Sequence, residues 1–142
     1  MTIDELQKEI IEEFTVYDDW MDRYQYLIDL SKELSPIDDK YKISQNLIKG
    51  CQSSVWLNAE LIDGKVIYAA DSDALITKGI VSMLIKVLSC HTPKEIIEAD
   101  LYFIDAIGLK ENLSPTRSNG LVSMIKQMKG YAMAYQYKQE QL

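Results

Sequence analysis

The stretch NLIKGCQSSVWLNAEL, Asn46 to Leu61, carries the residue with the most chemistry to offer. Structural cysteines usually lie inside apolar segments. Cys51 instead follows Gly50 and precedes Gln52, Ser53 and Ser54, just ahead of a strand-like run. A thiolate is a nucleophile, and a cysteine on an exposed turn can reach another protein's active site, where one within a strand cannot. Gly50 opens backbone angles closed to other residues and removes bulk beside the sulfur. Gln52, Ser53 and Ser54 can donate hydrogen bonds to a thiolate. The competing reading makes Cys51 a small hydrophobe at the mouth of a hairpin.

Two further places invite a chemical reading. Cys90 and His91 are adjacent at the end of an apolar helical run, and imidazole can activate a thiol. Neighbouring residues on a helix do not face each other, however. His91 is more simply a residue compatible with the helix dipole, and Cys90 continues the apolar stripe of Ile80, Met83, Leu84 and Val87. The segment LSPTRSNGL, Leu113 to Leu121, places Arg117 in the first turn of a helix. A cation there opposes the helix dipole, which points to another use for the guanidinium, such as pairing with an anion or a partner's carboxylate; the alternative is a solvated surface charge. With only two cysteines, a four-cysteine zinc site is excluded, and no metal is expected. A Cys-dependent enzyme or a small metal-binding domain built from Cys51, Cys90 and His91 stands as the alternative class.

The elements that must position these residues follow from local signals. Thr2 and Glu5 form a capping box ahead of Ile3, Leu6, Ile10 and Phe14, predicting a helix from Ile3 to about Glu13. Asp18 or Asp19 caps a second helix carrying Met21, Tyr24, Leu27, Ile28 and Leu34, which stops at Ser35-Pro36. DDKYKIS is expected to be a loop leading toward a short strand. Between Ser53 and Ala70 the period changes to two, and Asp63-Gly64 marks a hairpin with a type I′ turn. The run Asp71 to Asp73 is expected to cap a long apolar helix from Ala74 to about Ser89. Thr92-Pro93-Lys94-Glu95 is a second capping box, with proline at the first helical position. A short helix is expected around Phe103 to Ile107. Ser114-Pro115 opens the last helix, which carries Leu121, Met124, Ile125, Met128, Tyr131 and Tyr135. The expected fold class is α+β, a small antiparallel sheet packed with helices.

Composition narrows the function. The chain has 142 residues and a net charge of −7, with 22 acidic against 15 basic side chains. That length suits a single domain spanning 1–142 that buries about two thirds of its unfolded surface. The acidic balance argues against nucleic acid. No apolar run reaches the length of a membrane span, so no membrane partner is expected. The acidic start MTIDELQKEIIEEF has no signal-peptide character, and free thiols suit a reducing compartment; a cytoplasmic location is expected.

Three segments together resemble one family. GCQSSVWL at Gly50 to Leu57, DSDALITKGI at Asp71 to Ile80 and LSPTRSNGLVSMI at Leu113 to Ile125 are similar, in this order and spacing, to the SufE sulfur acceptors of iron–sulfur cluster assembly. The resemblance runs from about Phe14 to Ala132. It implies that Cys51 accepts persulfide sulfur from a SufS-type, or related CsdA-type, cysteine desulfurase. It further implies that the protein stimulates that enzyme and passes the sulfur to a SufBCD-type scaffold. Pyridoxal phosphate then belongs to the desulfurase, and no cofactor of its own is expected. Arg117 matches the arginine of the family's SPTRS segment near the docking surface, Asp73 an acidic position beside the cysteine loop, and Gln52 the residue after the acceptor. The implied fold is IscU-like. IscU scaffolds use three cluster-ligating cysteines, more than this chain has, so a carrier is implied.

Such an acceptor needs access, some thiolate character and protection between transfers. Turn amides, Lys49 and Arg117 are candidates for lowering the Cys51 pKa. Val55, Trp56 and the helix after Asp73 are candidates for a sheltering wall. A two-state loop is expected, with Cys51 sheltered in the free protein and swung out on the desulfurase.

Overall fold

A computed structural model describes residues 1–34, 37–51 and 53–141. Gln52 and the expected helix stop at Ser35-Pro36 lie outside the described residues. The order is α1 (Ile3–Thr15), α2 (Trp20–Glu33), β1 (Val55–Ile62), β2 (Lys65–Ser72), α3 (Leu75–Leu88), α4 (Pro93–Glu98), α5 (Phe103–Ala106) and α6 (Pro115–Glu140). The class is α+β, as the sequence periods predict.

Local chemistry sets most helix starts. Thr2 Oγ1 accepts from the Glu5 N–H while the Glu5 carboxylate accepts from the Thr2 N–H, and Thr92 with Glu95 repeats the arrangement at α4. Asp19 caps α2 and Ser114 caps α6. Inside α1, Gln7 takes an interior place beside Ile3, Ile10 and Phe14. Its amide donates to the Asp100 carbonyl (3.0 Å) and accepts from the Phe103 N–H (3.1 Å), so a buried polar group pins the chain entering α5. Met21, one of the apolar residues of α2, is 81% exposed.

The hairpin forms as predicted. Asp63 (φ 52) and Gly64 (φ 79) both adopt the positive φ a type I′ turn requires. Ile62 pairs with Lys65 at the turn and Val55 with Ser72 at the far end. Alternation buries Val55, Leu57 and Ala59 of β1. A two-stranded sheet has two open edges, which must be covered or satisfied. At β1 the Val55 carbonyl accepts from the Ile48 N–H (2.9 Å), that of Leu57 from the Tyr131 hydroxyl (3.2 Å) and that of Ala59 from the Tyr135 hydroxyl (2.7 Å). Two tyrosines of α6 therefore clip that helix to β1. At β2 the chain after α3 takes the edge: the Cys90 N–H donates to Val66 O, and the Val66 N–H to His91 O.

Three expectations are corrected here. The segment ahead of β1 contains 3₁₀ turns at Asp39–Tyr41 and Ser44–Asn46 and only a single bridge, Leu47 to Trp56, where a short strand was expected. The α3 start is not capped by the DSD run. Asp71 and Ser72 are drawn into β2, and Ala74 occupies the cap position with no side-chain cap bond. Asp71 is instead held between Lys42 Nζ (2.8 Å) and Lys78 Nζ (3.2 Å). Burial pushes its carboxyl up, but hydrogen bonds from Lys42, the Ser72 N–H and Lys78 outweigh that and hold it below the usual carboxylate range. Cys90 does not continue the α3 stripe. It is exposed, with φ 65, at the turn that brings the chain onto the β2 edge.

One apolar core joins these elements. α2 and β2 pack on α3, while α6 packs on β1, α3 and α4. The N-terminal parts of α3 and α6 come together beside the loop that precedes β1, at one end of the hairpin.

Candidate functional site

That loop is closed at its base by the Leu47–Trp56 bridge and the Ile48–Val55 hydrogen bond. Its far side is tied down at Ser54. The Ser54 N–H donates to Asp73 Oδ1 (3.0 Å), while its carbonyl accepts from Ser72 Oγ (2.9 Å) and the Asp73 N–H (3.3 Å). Ser53 Oγ donates to Thr77 Oγ1 (3.2 Å). Asp73 thus anchors the loop three residues beyond Cys51.

At the tip the chain lies on α6. Gly50 has φ 90, and a Cβ there would stand 2.7 Å from Ser123 Oγ. The positive φ favours glycine, and any larger residue would also have to turn the Ser123 hydroxyl aside. Cys51, half-buried, directs Sγ toward the Gly120 carbonyl at 3.8 Å. It borders a cavity of about 230 Å³ between the loop, α3 and α6. Buried Thr77, Ile80 and Met124 form its inner surface, and the exposed Thr116 and Arg117 its rim. Among the described residues no carboxylate pairs with Arg117. An exposed, unpaired guanidinium beside a cysteine is available to an anion or a partner's carboxylate.

Burial pushes the Cys51 thiol above the ordinary cysteine range, because loss of water disfavours the thiolate. The expectation that turn amides, Lys49 and Arg117 would lower this pKa is overturned for the closed loop. The thiol is stored protonated and poorly nucleophilic. The sheltering wall is also partly reassigned. The start of α3 contributes as expected, but the rest comes from α6, and neither Val55 nor Trp56 borders the cavity. Gly120 and Met124 were not foreseen. The available signal was a glycine within a helical pattern, which often marks a close approach of backbone.

Cys90 and His91 belong elsewhere. The Cys51 cavity is at the start of α3, whereas Cys90 follows its end, roughly 20 Å away by helix rise over 14 residues. The His91 ring is buried, with Nδ1 3.3 Å from Leu88 O and Nε2 2.9 Å from Met1 O. A Cys51–His91 dyad or a shared metal site is incompatible with this separation. Among the described residues no cluster of His, Cys, Asp and Glu is arranged to hold a metal ion.

A family model named SufE, described as an Fe-S metabolism associated domain, matches residues 8–132. The chain belongs to the SufE family. Membership ties it to iron–sulfur metabolism and sulfur transfer. It is 42% identical over 130 residues to an uncharacterized SufE-like protein of Synechocystis, covering 92% of this chain and 82% of that one. Over 135 residues it is 36% identical to SufE-like protein 1, chloroplastic/mitochondrial, of Arabidopsis thaliana; the match takes in 94% of this chain but 36% of the plant protein. A solution structure of a hypothetical protein from Thermus thermophilus shares the fold, with a TM-score of 0.75 at 21% identity, over 91% of this chain and 94% of that one. Among the described residues no helix is long and apolar enough to cross a membrane.

Proposed function

We propose that this SufE-family protein is a persulfide carrier whose acceptor is Cys51. It takes sulfur from a SufS-type or CsdA-type cysteine desulfurase, stimulates that enzyme by relieving it of sulfur, and passes the sulfur to a SufBCD-type scaffold. The observation that carries the reading is the position of Cys51 beside an apolar-walled cavity of about 230 Å³ with Arg117 at its rim. That volume is several times the share of one water, about 30 Å³. A second sulfur, about 2.04 Å beyond the first, is easily accommodated.

The chemistry follows thiol–disulfide exchange. The loop lifts from α6, Cys51 regains water and loses its proton. Its thiolate attacks the outer sulfur of the desulfurase persulfide; the new S–S bond forms as the old one breaks, and the donor cysteine departs as thiolate. Sulfur changes hands without net oxidation or reduction. Onward transfer repeats the step with Cys51 as leaving group. The pyridoxal phosphate that releases sulfur from L-cysteine resides on the desulfurase, and this chain needs no cofactor for the exchange. Arg117 is assigned to partner docking and Asp73 to holding the loop. A reducing compartment, such as a cytoplasm, suits a free thiol carrier.

The test is incubation with a SufS-type desulfurase and L-cysteine, followed by intact mass and peptide mapping. A gain of sulfur on Cys51, reversed by a reductant and absent in Cys51→Ser, is expected. An unmodified Cys51 with a demonstrably active desulfurase would remove the basis of the proposal.

A further inference from the structure

We infer that Gly120 is a positioning residue: its missing side chain is the seat in which the Cys51 sulfur lies, and so sets how deeply the thiol is withdrawn. Gly120 is buried in α6, the sixth residue of the helix and so past its first turn. A glycine there weakens a helix relative to alanine, and its φ is not in the left-handed region that would demand glycine. What demands it is the neighbour. A Cβ on Gly120 would stand 3.2 Å from Cys51 Sγ, 3.8 Å from its Cα and 3.9 Å from its Cβ. Every one of these nearest atoms belongs to Cys51.

The same helix holds an internal control. Gly130 is exposed, and a Cβ there meets nothing within 4 Å. The two glycines carry the same helical penalty and differ in what they face.

The physical consequence has a direction. At 3.2 Å one side must give by a few tenths of an ångström. α6 is held by tyrosine hydroxyls on β1 and by core contacts at Leu121 and Met124. Cys51 is on a loop. In Gly120→Ala the sulfur therefore moves and the helix does not. A displaced sulfur is less sheltered, and since burial is what pushes the thiol up, the displaced thiol titrates lower. This role concerns the withdrawn state of Cys51; its place in sulfur transfer rests on the carrier reading, but its test needs no desulfurase, so the two can fail separately.

The experiment is the alkylation rate of Cys51 by iodoacetamide as a function of pH in the full chain, with Cys90 replaced by serine, for wild type, Gly120→Ala and Gly130→Ala. Gly120→Ala is expected to react several-fold faster at neutral pH with its midpoint moved to lower pH, while Gly130→Ala follows wild type. Equal or slower labelling of Gly120→Ala, with an unmoved midpoint, overturns the inference. Thermal melts give a second reading that does not depend on how well Gly120→Ala is tolerated. The substitution is expected to raise Tm more in a Cys51→Ala background, where the helical gain is left without the contact, than with Cys51 present. The same Tm change in both backgrounds also overturns it.

Discussion

Replacing Gly50 by alanine probes the loop that carries Cys51 at its most constrained point. If the loop stays shut, the new residue keeps φ 90 with a Cβ 2.7 Å from Ser123 Oγ. Left-handed backbone costs a non-glycine residue about 1–2 kcal/mol. Turning the Ser123 side chain away from its rotamer adds about 0.5–1.5 kcal/mol. Together the closed state loses about 1.5–3.5 kcal/mol, all of it recoverable by lifting the tip from α6. At about 1.4 kcal/mol per decade, the opening equilibrium shifts by roughly 10- to 300-fold. The assay is alkylation of Cys51 with Cys90 replaced by serine, at reagent concentrations low enough that reclosing outpaces reaction and the rate follows the open fraction. Labelling of Gly50→Ala is expected to rise by that factor, or to the unfolded-chain rate if opening becomes complete. The urea midpoint should fall by less than the full strain, since opening relieves it. Adding Ser123→Ala should return only the steric share and leave the backbone share. Wild-type labelling and a wild-type urea midpoint in Gly50→Ala would refute both the strain and the two-state loop.

Arg117→Ala is expected to weaken desulfurase stimulation at limiting protein while changing stability by less than about 0.5 kcal/mol, as suits an exposed side chain; undiminished stimulation contradicts the docking role. Asp73→Ala removes the acceptor for the Ser54 N–H, and losing about 1 kcal/mol of hydrogen bonding at the loop's tied side should speed Cys51 alkylation severalfold; an unchanged rate would show that Ser72 and Thr77 suffice. The Cys51 thiol gives a pH signature. Its folded pKa lies above the ordinary thiol value of 9.0 because of burial, so its contribution to stability is complete below about that pH and is lost as pH rises through the folded value. Wild type should lose more urea stability than Cys51→Ser between neutral pH and the alkaline side of 9.0, and parallel profiles would count against a buried thiol.

Much was legible because it is local. A capping box needs residues three apart, as at Thr2 with Glu5 and Thr92 with Glu95, and a type I′ turn needs Asp63-Gly64 between alternating runs. These signals act over one turn, and the chain obeys them. Cys51 after Gly50 also stood out from its neighbours alone, and the three matching segments identified the family. What the sequence could not settle depends on partners distant along the chain. Asp71 and Ser72 read as helix caps, but backbone pairing with Val55 and Trp56 and two lysines around Asp71 outcompeted a cap. Cys90 fits a helical stripe by spacing, yet the open edge of β2 pulled its backbone out of the helix to pair with Val66. The start of α3 was a foreseeable part of the wall around Cys51, but the remainder comes from α6, about 70 residues downstream, and no periodicity reports which helix will face a given loop. In the closed loop the thiol's pKa moves opposite to the expectation for the same reason. Neighbouring amides and a lysine are visible in the sequence and favour the thiolate. Desolvation is set by what closes over the sulfur, and only the tertiary structure decides that.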